Sequence, residues 1–533
     1  MGSPTGTGRD RAFLQAFHQQ STSEAAARYA TAAAQDFADA PSAHSDSARQ
    51  FDTTPHRPAD LPSLRSTVRL GAKGTDVHTP WYDIKFYPYT PPGVDPVFAV
   101  VGDRETVVCR CVLEKGNAIE VLKWFKDEEE AEEWTLNSLE WAQAENGDPL
   151  VCITGSVAKI KVLNVRTGEL ATTLTGHGAL INDLTISPLT PRILASGSMD
   201  HSIRIWSLDP KHSKNPTMVK CGGGGHKEGI LAVAFHRNGR YLLSGGMDTM
   251  VNLWVLPELP NETAGTDKTT LVHYPHFSTT EIHTDFVDCI RFYGDLIISR
   301  SAKENKILLW RIDGFNSDDP LPSLSEAPIP PFSSANSSRT NHQTQNSDSS
   351  GTRSAWRGRF QRLLQFDAPH TQLFYMRFGL FHELGHSPIL VMGNEKSKIF
   401  FWDLHRLESG DVNLSGNTKL RSRSKKGKDK ESLARVREES IAESATSGAS
   451  EATSAQASSL GSFSVSGKGK GKAVVGPGAA KAIGDPFFPI PAHKSVVIPK
   501  VNFATRQIAW SRGGEWCVVV GDEAMICLFR RWG

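Results

Sequence analysis

Between residues 66 and 532 the apolar positions fall into short runs that alternate with polar ones, each run closed by Gly, Asp, Asn or Pro. Period-two alternation puts successive side chains on opposite faces, so these runs predict β-strands separated by turns. Two stretches repeat one pattern: GHGALINDLTISPLTPRILASGSMDHSIRIWSL (176–208) and GHKEGILAVAFHRNGRYLLSGGMDTMVNLWVL (225–256). Each has a Gly-His pair, an alternating strand, a turn, a small-residue strand, an Asp turn and a strand ending in Trp.

This is the WD40 signature, about 40 residues for each blade of a propeller. The spacing has a chemical reason. His177 and His226 can reach the Asp200 and Asp248 turns, and Ser196 or Ser244 with Trp206 or Trp254 would complete each network. Such a network fastens the strands of one blade, so these histidines are assigned a structural role rather than catalysis or metal binding. Weaker copies run over 286–312, 373–404 and 506–532, and two early ones lie around 81–124 and 134–170. That makes seven blades. They close without a free sheet edge if STVRL (66–70) supplies the outer strand of the last one.

Three segments are too poor in apolar residues to offset chain entropy and are expected to be disordered. They are a tail over 1–60, apart from a short helix around Ser23–Asp39, and insertions over 314–355 and 407–495. The expected fold is all-β: a seven-bladed WD40 β-propeller over 61–532 with a disordered N-terminal tail and two long disordered insertions.

Lys plus Arg total 59 against 58 for Asp plus Glu, so net charge exerts no pull toward nucleic acid or a membrane. The seven cysteines form no CxxC pair and have no metal-ligand spacing with the histidines, which predicts reduced thiols. No apolar stretch approaches a membrane span. Gly6 stands where myristoylation wants Ser or Thr, and no signal-peptide core is present, so a soluble intracellular chain is expected.

In a propeller the first strand of each blade lines a central channel. Aligning those strands on Phe86, Leu139, Ile186, Phe235, Phe292, Phe378 and Trp510 and stepping back four residues gives Tyr82, Thr135, Asn182, Leu231, Asp288, Phe374 and Arg506 at one mouth. Phe374 and Tyr375 are adjacent, so a strand would bury only one of them in the core. With Tyr82 and Trp134 they form an aromatic cluster on blades 1, 2 and 6. Two readings stand at this point: rings that plug the channel, or a cage for a methylated ammonium. Trimethyl-lysine keeps its charge but has no N–H to donate, and aromatic faces select it at roughly 0.5–2 kcal/mol per contact.

The run HYPHFSTTEIHTDFVDCIRFYGDLIISRS (273–301), with QLFYMRF (372–378), GNEKSKIFFWDL (393–404) and ATRQIAWS (504–511), resembles the extra sex combs / embryonic ectoderm development (EED) family. The resemblance spans about residues 66–532 apart from the insertions. It implies a seven-bladed, non-catalytic scaffold of Polycomb repressive complex 2 whose channel mouth binds trimethyl-lysine, chiefly the lysine-27 mark on histone H3, and so stimulates the partner methyltransferase. On this resemblance the blade-6 pair falls on Phe374 and Tyr375, with Phe in place of the usual Trp, and the blade-1 aromatic on Tyr82. The blade-2 tyrosine falls on Thr135, a departure that Trp134 would repair after a small register shift. Arg377, Asn182 and Arg506 match positions along the peptide's path.

Other classes fit less. No nucleophile elbow or P-loop is present, and GGGG (222–225) lacks the following Lys-Ser/Thr, so no enzyme is expected. A generic WD40 adaptor such as a ubiquitin-ligase substrate receptor would leave the mouth aromatics unexplained. RSRSKKGKDK (421–430) reads as a solvated run or a nuclear-import signal, and direct nucleic-acid contact is not expected. The resemblance implies a nuclear chain held with an Enhancer of zeste-type SET-domain methyltransferase, a Suppressor of zeste 12 homologue and the trimethylated histone H3 tail, with no cofactor, metal or membrane. The methyltransferase's N-terminal segment would wrap the face opposite the cage.

Overall fold

Gly-, Asp- and Asn-rich turns join the alternating runs into antiparallel hairpins, and the hairpins build seven sheets, four of four strands and three of five. The computed structural model describes residues 61–71, 80–91, 93–114, 117–127, 135–330, 351–408 and 484–532. The expected N-terminal tail, the helix around Ser23–Asp39, the basic run 421–430 and Trp134 lie outside those residues.

Each sheet is a blade, and its first strand is innermost. Those inner strands are Asp83–Phe86, Leu136–Gln143, Ile181–Ile186, Ile230–Phe235, Val287–Tyr293, Gly379–Phe381 and Thr505–Trp510 for blades 1 to 7. Blade 7 takes its outer strand from the start of the described chain, Ser63–Arg69, paired antiparallel with Met525–Arg530. This closes the ring as STVRL predicts.

The core sits between blades. Val97, Ala99 and Val101 of blade 1 pack on Leu139, Val151 and Ile153 of blade 2, and the same layering recurs around the ring. Burying each such valine, leucine or isoleucine contributes about 1.5–3 kcal/mol. Inner strands have one unpaired edge, whose N–H groups need partners. Neighbouring blades supply them: Asp83 accepts from the Leu139 amide at 3.0 Å, Ser138 from Leu184 at 3.2 Å and Asp183 from Val233 at 2.9 Å.

The expected networks form. In blade 3, Trp206 donates to Ser196 at 2.8 Å, Ser196 bonds His177 at 2.7 Å, and His177 bonds Asp200 at 2.9 Å. In blade 4, Trp254, Ser244, His226 and Asp248 repeat it at 2.9, 2.8 and 3.0 Å. Blade 5 holds a third copy that the sequence pattern missed: Trp310, Ser299, His283 and Glu304, at 2.9, 2.7 and 2.9 Å. Glu replaces Asp there and Ile282 replaces the glycine before the histidine, which hides the motif.

The two insertions are shorter than expected. Residues 314–330 and 351–355 of the first are built into the ring: Thr352–Ser354 pairs with Phe277–Thr279 as a fifth strand of blade 4. Phe315, Leu321 and Trp356 anchor the segment on the blade-4 core. At the end of the second, Pro489–Ile490 runs parallel to Phe360–Asp367 in blade 5, and Lys494–Val497 is the outer strand of blade 6. A few apolar anchors in a polar stretch suffice, because the neighbouring blade supplies the rest of the hydrogen bonding. A third such loop, between Val255 and Phe277, lends Thr270–Val272 to blade 3.

Candidate functional site

Inner strands do not run straight to the channel mouth. Five of them slip by one residue near their start, leaving Asn137, Asn182, Leu231, Asp288 and Arg506 as bulged residues. A bulge re-aims a side chain out of the two-faced alternation. These bulged residues coincide with the expected ring positions except in blade 2, where the bulge is at Asn137 and not Thr135. Thr135 lies two residues earlier, exposed, its amide held by Ser156 at 2.9 Å. Alignment on Leu139 was two residues out of step, because the equivalent bulky residue is Trp141.

Blade 6 departs further. Residues 371–378 form no strand, and Tyr375 takes a left-handed backbone with φ 63°. Phe374 and Tyr375 therefore do not divide between two strand faces. Phe374 remains 39% exposed at the mouth while Tyr375 turns inward, 7% exposed. Their ring centroids are 5.3 Å apart at 72°. Tyr82 of blade 1 meets Tyr375 at 6.1 Å and 84°, and Phe286 of blade 5 meets Phe374 at 6.3 Å and 83°. Phe286 escaped the sequence reading, although it stands two residues before the blade-5 bulge.

Charged side chains back these rings. The Arg377 guanidinium lies 4.6 Å from the Tyr375 ring centroid and pairs with buried Asp183 at 2.7 Å. It also donates to the carbonyls of Leu231 at 3.0 Å and Asn182 at 3.2 Å. Burial would raise the Asp183 carboxyl, but Arg377 and its cationic neighbours hold it below the usual range. Burial pushes the Tyr375 phenol up, so it stays protonated and donates to the Asn182 carbonyl. Asn182 and Arg377 are thus buried behind the aromatic pair. Arg506 alone of the three expected peptide-path residues is partly exposed: it is clamped by Asp522 at 2.7 and 2.9 Å, donates to the Phe374 carbonyl at 3.0 Å and lies 5.7 Å from the Tyr82 ring.

The WD domain, G-beta repeat family matches residues 168–207 and 219–255, each running from the fourth strand of one blade through the first three strands of the next, blades 2 to 3 and blades 3 to 4. Polycomb protein EED of Chaetomium thermophilum is 36% identical over 527 residues, covering 85% of this chain and 91% of that protein. This chain belongs to the Polycomb EED family. Polycomb protein esc of Drosophila melanogaster is 27% identical, covering 58% of this chain and 66% of its own. Among solved structures, a chain of the Chaetomium thermophilum Polycomb repressive complex 2 in complex with histone H3 trimethylated at lysine 27 is 33% identical with a TM-score of 0.69, covering 89% of this chain and 98% of that one. As an EED-family propeller the chain is non-catalytic.

Proposed function

We propose that the propeller is the histone-mark reader and scaffold of a nuclear Polycomb repressive complex 2, taking trimethyl-lysine of a histone H3 tail against Tyr82, Phe374 and Tyr375. One observation carries the reading: three rings from two blades meet at one channel mouth at interplanar angles of 84° and 72°. Near-perpendicular rings form a corner, and a corner offers several π-faces to one rounded cation. A trimethylammonium cannot donate a hydrogen bond, so dispersion and cation–π attraction must do the selecting. Family membership and the relative's complex with the trimethylated tail support a reader role within such a complex.

In this reading the chain holds an Enhancer of zeste-type methyltransferase and a Suppressor of zeste 12 homologue. Occupancy of the mouth raises methyltransferase output by favouring its active arrangement, which maintains gene silencing. The test is calorimetric titration of the chain with lysine-27 peptides bearing zero to three methyl groups. Affinity should rise with each methyl and be greatest for the trimethylated peptide. Equal affinity across the series would overturn the proposal.

A further inference from the structure

Residues 371–376 are bound by side chains of the neighbouring blade. In blades 3 and 4 the second strand carries glycine opposite the residue after the bulge: Gly197 faces Asp183 and Gly245 faces Ala232. Those glycines let the next blade close up. A Cβ at Gly197 would stand 2.8 Å from Ile230, and one at Gly245 would stand 2.6 Å from Val287. Ile230 and Val287 are the first residues of the following inner strands. In blade 5 the same position, opposite Cys289, is Arg300. The inner strand of the following blade starts only at Gly379.

Arg300 is fully buried, and the segment folds around it. One terminal nitrogen bonds both Asp288 oxygens at 2.7 Å and the Met376 carbonyl. The other bonds the carbonyls of Thr371 at 2.6 Å and Leu373 at 2.9 Å. Asp288 in turn accepts the Tyr375 amide at 3.0 Å. Glu395 holds the amides of Gln372 and Leu373 at 2.9 and 3.1 Å, and Asn305 holds that of Thr371 at 3.1 Å. A guanidinium fork is suited to this work, because it offers several N–H donors in fixed directions and no acceptor.

We propose that Arg300 is the positioning residue of the mouth: its guanidinium, with Asp288, replaces the glycine packing of the neighbouring blades and folds residues 371–376 into the loop that presents Phe374 and Tyr375. Its role in ligand selection rests on the trimethyl-lysine reading; its role in shaping the loop does not.

The test uses the full chain and the double variant Arg300→Gly/Asp288→Leu, which installs the Gly245 and Leu231 pair of blade 4 and leaves no unpaired buried charge. Amide hydrogen exchange over 371–376, the thermal melt and titration with trimethylated peptide are read together. With a cooperative melt retained, exchange at Tyr375 should quicken at least about tenfold and peptide affinity should fall at least about tenfold, the scale of losing one or more charged hydrogen bonds. Arg300→Lys, which keeps the charge but not the planar fork, should fall between wild type and the double variant in exchange over 371–376. A folded double variant with wild-type exchange over 371–376 would overturn the proposal. If the double variant does not fold, Arg300→Gln decides on the same exchange: faster supports, unchanged overturns. Should wild type itself fail to prefer the trimethylated peptide, the reader function falls, and exchange still decides what Arg300 does.

Discussion

Tyr375 holds a left-handed backbone that costs a non-glycine residue about 1–2 kcal/mol, and Asp288, Asn182 and Arg377 together repay it. That makes the two neighbouring aromatics unequal under mutation. Phe374→Ala removes a part-exposed ring and should cost roughly 1 kcal/mol or less of stability. Tyr375→Ala empties a buried site and should cost about 3–5 kcal/mol. Urea denaturation checks both, and equal costs would place the two rings in the same environment. The buried histidines make a second prediction. Burial holds His177 and His283 below the ordinary imidazole value of 6.5. Asp200 and Glu304, although burial alone would raise them, are held low by the hydrogen bond from their histidine. The unfolded chain therefore binds more protons than the folded one on both counts. Stability should be full above about pH 6.5, fall below it as unfolded histidine protonates, and fall again below about pH 4 as the carboxylates protonate. Urea midpoints that stay flat from pH 8 to pH 4 would contradict this.

At the scale of elements, most of the propeller was legible because alternation, turn residues and terminal Trp act within one blade. Blades 3 and 4 carry the Gly-His to Trp pattern complete; blade 5 does not, since Glu304 and Ile282 depart from it while preserving the same bonds. The mouth was less legible. Blade 2 offers two bulky residues two apart, Leu139 and Trp141, and aligning on Leu139 placed Thr135 where Asn137 sits. The blade-6 loop could not be read locally, because Arg300 and Asp288 belong to another blade. Fifth strands were missed for a related reason: Thr352–Ser354 is polar, and its pairing depends on Phe277–Thr279. Replacing only 331–350 with a short Gly/Ser linker should therefore keep a cooperative melt at wild-type midpoint. Extending the replacement to 320–352 removes Thr352, which bonds Thr279 at 2.7 Å and Glu281 at 2.6 Å, and should lower stability by about 2 kcal/mol or more. Matching melts for the two variants would mean that blade 4 does not need its fifth strand.

Across the whole molecule, the ring closes by one strand, and the proposed reader lies at its channel. Deleting 61–70 would expose the Met525–Arg530 edge and should abolish the single cooperative melt. The proposed coupling to the methyltransferase is bound by reciprocity. If trimethylated peptide favours the partner's active state, a complex locked active must bind the peptide more tightly than the resting complex by the same coupling energy. Both effects presuppose that the rings at the mouth recognise the methylated cation. The most direct measurement is calorimetric titration of unmodified and trimethylated lysine-27 peptides into wild type, Tyr82→Ala and Phe374→Ala, with melts recorded on the same samples. Wild type should prefer the trimethylated peptide by about tenfold or more, as two or three cation–π contacts would provide. Each variant should lose most of that preference with its melt nearly unchanged. Undiminished preference in both folded variants would contradict an aromatic site at this mouth.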